Sequence, residues 1–325
     1  DTSPNKLVSV YSNGGFPSSY YLSSEIQNYY LKPENVESWE VGLEGKLFKS
    51  RLNFDVAYYH SETTDQIITV PIDQAVGATS VVVNAGCVRN RGVEVSARFQ
   101  PVKTKEFEWT ISANWSKNWN KLVELADGVA MWNLNPNITV GGNIYIRAYP
   151  GTELGRLYGR GYERAPEGAF YVDADGSYVD CSNQIVVDAE TGSARLTSTE
   201  DELLDLGSIY PDWTAGMRHS LSYNGFRLGL SFSAQWGGKT YSMTHFALAY
   251  QGKLKNSLKG RYAGMIVPGV NLNENGTYSK NTTITTDIVD HYTNYVYARE
   301  NAEENVFDTS FLKLKELRLE YSLPR

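Results

Sequence analysis

Between Phe107 and Trp115 the chain reads F-E-W-T-I-S-A-N-W, with Phe107, Trp109, Ile111, Ala113 and Trp115 on one parity and Glu108, Thr110, Ser112 and Asn114 on the other. Successive side chains of a strand leave on opposite faces, so this segment is a long strand with one aromatic, apolar surface and one polar surface. A chain built from such strands must find different surroundings for its two faces.

The same signature recurs. Trp39, Val41, Leu43 and Leu47 alternate with Ser38, Glu40, Gly42, Glu44 and Lys46, and Leu52, Phe54, Val56 and Tyr58 oppose Arg51, Asn53 and Asp55. Val93, Val95, Ala97 and Phe99 oppose Glu94, Ser96, Arg98 and Gln100. Two further strands are expected over 213–223 and 226–236, where Trp213 to Leu221 and Phe226 to Trp236 keep the pattern. Several segments offer about 9–11 alternating positions, the length a tilted strand needs to cross a bilayer's hydrocarbon. Strands of soluble proteins usually stop at about 5–6 residues. Aromatics near both ends, such as Phe226 and Trp236, match the two girdles of a membrane barrel. Alternation does not say which solvent lies outside, so a large soluble β-protein with half-buried strands stays open.

Composition sets limits on the rest. The apolar fraction is 41% and mean hydropathy is -0.39, without any apolar run of the roughly 20 residues that a membrane helix requires. A barrel conceals its hydrophobicity in alternation and is not excluded. A net charge of -7 offers no basic field, which argues against nucleic acid as a partner. The first residues, Asp1 to Pro4, carry no charged and apolar leader; either a signal has been removed or the chain is an internal fragment. Cys87 and Cys181 are far apart in sequence, and pairing is undecided.

Connections fall into two sizes. Phe48 to Ser50, Pro101 to Lys105 and Asn224-Gly225 are short, and Asn-Gly accepts the positive φ of a tight hairpin. These read as periplasmic turns. The connections over about 61–90, 118–212 and 237–307 are long, as on the extracellular side of transmembrane barrels. Short strands are expected at Tyr145 to Tyr149 and Gly168 to Val172, and helical spacing at His245 to Tyr262, so the long loops should be structured. Over Phe311 to Leu323 the leucines change parity between Leu314 and Leu317, which predicts a bulge.

Five segments in order resemble the SusC/RagA-like family of TonB-dependent outer-membrane transporters: L-K-P-E-N-V-E-S-W-E-V-G-L-E at 31–44, V-N-A-G-C-V-R-N-R-G-V-E-V at 83–95, L-G-R-L-Y-G at 154–159, Y-P-D-W-T-A-G at 210–216 and T-S-F-L-K-L-K-E-L-R-L-E-Y-S-L-P at 309–324. The resemblance implies an all-β chain that is the later part of a large antiparallel transmembrane β-barrel of about 22 strands with a plugged lumen. Over 1–325 the plug domain and the first and last strands have no counterpart. A sheet with two open edges is not expected to sit in lipid alone, because unpaired amides there cost several kcal/mol each. The implied partners are a SusD-like surface lipoprotein that closes as a lid, the TonB complex through the plug, an oligosaccharide or oligopeptide substrate, and the lipid bilayer. The implied location is the outer membrane of a Gram-negative bacterium, and the implied role is import of oligomeric nutrients.

Catalytic motifs are missing. His60, His219, His245 and His291 show no metal spacing, and neither a nucleophile elbow nor a phosphate loop is present. No cofactor is expected. Asp173, Asp175 and Asp180 resemble the start of a calcium loop, without its terminal glutamate, and Asp175-Gly176 reads equally as a hairpin turn. The acidic run Glu200, Asp201 and Glu202 reads as a solvated loop face. Candidate substrate-binding residues are the loop aromatics Trp132, Tyr149, Tyr158, Tyr162, Tyr171 and Tyr178, whose rings suit amphipathic ligands or, alternatively, pack the loops. Candidate lumen-facing residues are Glu40, Glu44, Asp55, Glu94, Arg98, Glu108, Arg218 and Arg227, whose mixed signs favour holding a plug over forming a selective ring. The rival readings are a soluble or surface-attached β-rich glycan-binding module, a β-sandwich or β-helix glycan hydrolase and a passive porin.

Overall fold

The computed structural model describes residues 8–9, 20–21, 25–134, 144–197 and 203–323. Seven long strands dominate: β1 (Asn35–Leu47), β2 (Leu52–Thr64), β3 (Gly86–Lys103), β4 (Phe107–Leu125), β5 (Trp213–Tyr223), β6 (Phe226–Trp236) and β7 (Phe311–Tyr321). They form one antiparallel meander in chain order, each strand bonded to the one before it. The outer edges of β1 and β7 pair with no other described strand.

Register turns seven separate alternations into two continuous surfaces. Leu43, Val56, Val95, Trp115, Ala215, Ala234 and Leu312 lie side by side in one row, and Phe54, Ala97, Ala113, Met217, Phe232 and Leu314 in the next. Aromatic rows close this apolar band at both ends. At the short-turn end Phe107, Tyr223, Phe226 and Tyr321 align, with ring centroids 6.5 Å apart for Phe107–Tyr223 and 4.4 Å for Phe226–Tyr321. At the long-loop end Trp39 stacks on His60 at 5.5 Å and Trp213 on Trp236 at 6.5 Å, while Lys117 and Arg91 approach the Trp119 ring. Ten residues of strand separate the Phe107 and Lys117 rows, a height of about 26 Å at the tilt usual for barrels. Leu312, Leu317 and Leu319 are 67–76% exposed, so no part of the described chain covers this band.

Local chemistry explains where strands bend and pair. Asn224 and Gly225 take φ of 43° and 84°, the left-handed pair that the Asn-Gly hairpin requires. On β7 the register slips by one residue opposite Ser231 and Phe232, leaving Lys315 as the extra residue, so Leu312 and Leu314 stay on the same face as Leu317 and Leu319. Gln100 and Pro101 form a second bulge on β3, which places Pro101 inside the strand at a position needing no donor.

The strands outrun the sequence expectation. β2 continues to Thr64, β3 begins at Gly86 and β4 reaches Leu125, so the first long connection is 65–85 rather than 61–90 and the second begins after 125 rather than at 118. Their upper ends are polar or mixed, and strict alternation fades once both faces meet protein, as where Val88 and Leu122 are buried together with Ala148. Above the sheet the long connections fold into a body of their own. Strands occur at Ile144–Ala148 and Phe170–Val172. The helical segment is α1 (Met243–Tyr250), capped by Ser242 and ended near Gly252, whose φ is +68°; a 3-10 turn follows at Lys255–Leu258. Val186 bridges Val270, and the amide of Asn271 donates to the Val187 carbonyl at 2.9 Å, which interlocks the second and third connections.

Candidate functional site

The opposite face of the sheet is polar across all seven strands. Glu40, Glu44, Asp55, Glu94, Arg98, Glu108, Arg218 and Arg227 all lie on it, because strand parity and register carry each of them to the side away from the apolar band. A depression of about 570 Å³ opens there, with Asn53, Ser96, Ser112 and Asn114 among its lining residues and Glu44, Asp55, Arg98 and Arg218 around them. Charge is incompletely matched. Glu44 and Asp55 stand directly opposite in register, an unfavourable pair. Among the described residues only Glu44 of this pair has an ion partner, Lys46 at 3.7 Å. Arg98 and Arg218 flank Ser112, and among the described residues neither has an ion pair. Asn53 Oδ1 is buried without a hydrogen-bond partner. Towards the short turns the carboxylates find partners: Gln100 donates to Glu108 at 2.7 Å, Arg227 reaches Glu320 at 3.8 Å, and Arg318 also meets Glu320.

One interaction on this face is built by an absent side chain. A Cβ on Gly92 would stand 2.4 Å from the Tyr59 ring, so glycine alone lets that ring lie across β3 and donate its hydroxyl to Asn118 Oδ1 at 3.0 Å.

The loop aromatics divide by environment. Trp132 packs among Val88, Leu122 and Ala148, and Tyr171 against Ala165, Cys181 and Val270. Tyr162 is 6% exposed in a cluster with Val187, Ala194 and Val267, and its hydroxyl donates to Glu304 at 2.8 Å. Burial first, then the Glu304 carboxylate, raises that hydroxyl well above the ordinary phenol range, so it remains a donor. These three residues hold the loop body together. Tyr178 is exposed and leans on Phe170 at a hairpin tip, with ring centroids 5.2 Å apart. In that hairpin Asp173 and Asp175 accept turn amides and Asp180 accepts from Ser182; among the described residues no three His, Cys, Asp or Glu side chains converge to hold a metal. Cys87 and Cys181 are buried free thiols. The run from Glu200 to Glu202 lies outside the described residues.

Tyr149 and Tyr158 belong to a different arrangement. A four-stranded loop sheet is made by Trp132–Asn133, Ile144–Ala148, Arg156–Gly159 and Leu204–Ser208. Its apolar face, carrying Ile144, Ile146, Leu157 and Leu206, packs on Ala302, Ile209 and Val306. Its other face carries Tyr145, Arg147, Arg156 and Tyr158, aligned by the register Tyr145–Tyr158 and Arg147–Arg156, and Tyr149 meets Tyr158 edge to face at 5.5 Å. Burial, followed by the Asp205 carboxylate, raises the Tyr158 hydroxyl above its usual range.

Residues 6–198 match the family model described as TonB dependent receptor-like, beta-barrel. The chain belongs to that family. It is 25% identical over 308 residues to TonB-dependent receptor P3 of Formosa agariphila, covering 93% of this chain and 28% of the relative. It is 29% identical over 121 residues to TonB-dependent receptor SusC of Bacteroides thetaiotaomicron, covering 36% and 12%. The fold superposes on the RagAB peptide importer in its closed-closed state with a TM-score of 0.65 and 20% identity, over 99% of this chain and 32% of that one. This receptor-family segment therefore spans about a third or less of the proteins it matches, and those proteins are named as receptors or importers rather than enzymes. Sequence reading missed Tyr145 and Arg147 as companions of Tyr149 and Tyr158, although the I-Y-I-R-A-Y alternation of 144–149 held the signal. Tyr59 was not legible in the sequence, because the glycine it covers lies on the neighbouring strand.

Proposed function

We propose that this chain is a sector of a TonB-dependent barrel that imports oligomeric nutrients, glycans or peptides, through the outer membrane of a Gram-negative bacterium. The apolar band of about 26 Å between two aromatic rows supports the reading most directly, since it fits the outward belt of a membrane barrel. In this reading the polar face lines the lumen, and the unmatched Asp55, Arg98 and Arg218 with the orphaned Asn53 are the wall that a plug contacts. The loop body is the extracellular receptor surface, on which a SusD-like lipoprotein would close, and the TonB complex would supply force through the plug. The chain would catalyse no reaction; selective binding at loops and plug would set what passes.

The test uses the full-length protein in its native host. Deleting it, or disabling TonB, is expected to abolish growth on a particular glycan or peptide oligomer while growth on the monomer continues. The extracted protein should need detergent and migrate as a heat-modifiable band. A detergent-independent soluble species without a heat shift would replace this reading with the soluble or surface-attached glycan-binding module.

A further inference from the structure

Among the described residues, the polar face of the loop sheet contains one arginine without an ion partner. Of its two arginines, Arg156 is ion-paired: Nε donates to Asp205 Oδ2 at 2.7 Å, and Glu153 lies 3.7 Å from the same guanidinium. Arg147, its register partner, meets no carboxylate within 4 Å among the described residues, and its Nε is buried without an acceptor. Asn133, opposite Arg147 on the other side, has a buried Oδ1 that also lacks a partner. A guanidinium stays charged at any relevant pH, and a buried donor without an acceptor is costly. The Tyr145 ring lies 4.1 Å from the Arg147 guanidinium carbon, a cation–π contact that fixes the plane of the fork. The Tyr149–Tyr158 pair adds ring surface and hydroxyls beside it.

We infer that this face is a carboxylate-binding subsite of the receptor surface, in which Arg147 takes a carboxylate of the oligomer and the tyrosines cover the adjoining residue of the ligand. The inference rests on the import reading above. The two terminal nitrogens of a planar guanidinium suit paired hydrogen bonds to the two oxygens of a carboxylate. Tyrosine rings accept the apolar face of a sugar ring or a peptide side chain and offer a polar tip to its edge. The carboxylate has two sources, a uronic acid in a glycan or an acidic or terminal group in a peptide, and both present the same chemistry to Arg147.

The experiment is calorimetric titration of full-length receptor in detergent with four probes: trigalacturonate, its methyl ester, a glutamate tetrapeptide, and the matching glutamine tetrapeptide with an amidated end. At least one acidic probe should bind, its neutral counterpart more weakly, and the acid that binds identifies the source. Arg147→Gln should weaken that probe by about tenfold or more, and Arg147→Lys should recover only part of the loss, since a lysine keeps the charge without the fork. Because Arg147 has no ion pair to lose among the described residues, both variants should retain the wild-type heat-modifiable migration. Binding unchanged within twofold in Arg147→Gln, or equal binding of acid and neutral probes, overturns the subsite and leaves the import reading intact. Wild-type receptor that binds none of the four also overturns it, while the growth experiment decides the import reading separately.

Discussion

At the scale of single residues, Gly92 shows how an element of the sequence that carries no side chain fixes one that does. Glycine inside a strand is ordinarily a loss of order, and replacement by alanine there is usually neutral or favourable. Here a methyl group would enter the Tyr59 ring at 2.4 Å. Gly92→Ala is expected to destabilise the receptor by about 1–3 kcal/mol through overpacking, and most of that cost should vanish when Tyr59 is already alanine. The check is a double-mutant cycle on the midpoint of heat modification in detergent. Equal costs in both backgrounds would refute the ring-over-glycine account. The same geometry recurs on the apolar face, where Phe54 lies across Gly45. The glycines were visible in the sequence, but the rings that need them come from the preceding or following strand and were not.

At the scale of elements, the β7 bulge was legible because a strand's period is two and the leucines break it between Leu314 and Leu317. The structure assigns the extra residue to Lys315. Deleting Lys315 should force a choice between pairing with β6 and keeping all leucines on the apolar side. Assembly of the heat-modifiable form is expected to fall sharply, whereas Lys315→Ala, which keeps the backbone count, should assemble normally. Limited proteolysis of outer-membrane fractions distinguishes the two, and equal resistance of both variants would show that the bulge is dispensable. Among the loop elements, helical spacing located α1 but not its end, since Gly252 takes left-handed φ and closes the helix before the expected segment does. The aromatic candidates were sorted by tertiary packing alone. Nothing in the local sequence separates Tyr162, which is buried against Val187 and Val267, from Tyr178, which stands at a hairpin tip.

At the scale of the whole molecule, the two faces of one sheet predict opposite tolerances at neighbouring positions. Phe232 lies in the middle of the apolar band and Ser231, one residue away, on the polar wall opposite Arg218. Phe232→Arg is expected to cost about 2–4 kcal/mol in a bilayer, the range for a cation near the midplane of a barrel's lipid face, and Ser231→Arg far less. Denaturant titration of the full-length protein folded into liposomes measures both. Similar costs at the two positions would mean that the apolar band does not face hydrocarbon. In the proposed reading, a lumen role for the polar wall would also account for the side chains there that lack ion partners among the described residues, because a wall complete in itself would leave a plug little to bind.

The sequence by itself determined the strands, their two-faced character, the hairpins between them and the family, because each follows from interactions between near neighbours: side-chain alternation, turn residues that accept positive φ, and short ordered motifs. Only the tertiary structure decided which of the aromatic and charged residues are spare. Whether a tyrosine is core or surface, and whether an arginine is already neutralised, depends on residues far away in the chain, as Glu304 does for Tyr162 and Asp205 does for Arg156. Arg147 and Arg156 look alike in sequence; among the described residues only Arg156 is ion-paired, because its strand is the one that lies next to the strand carrying Asp205.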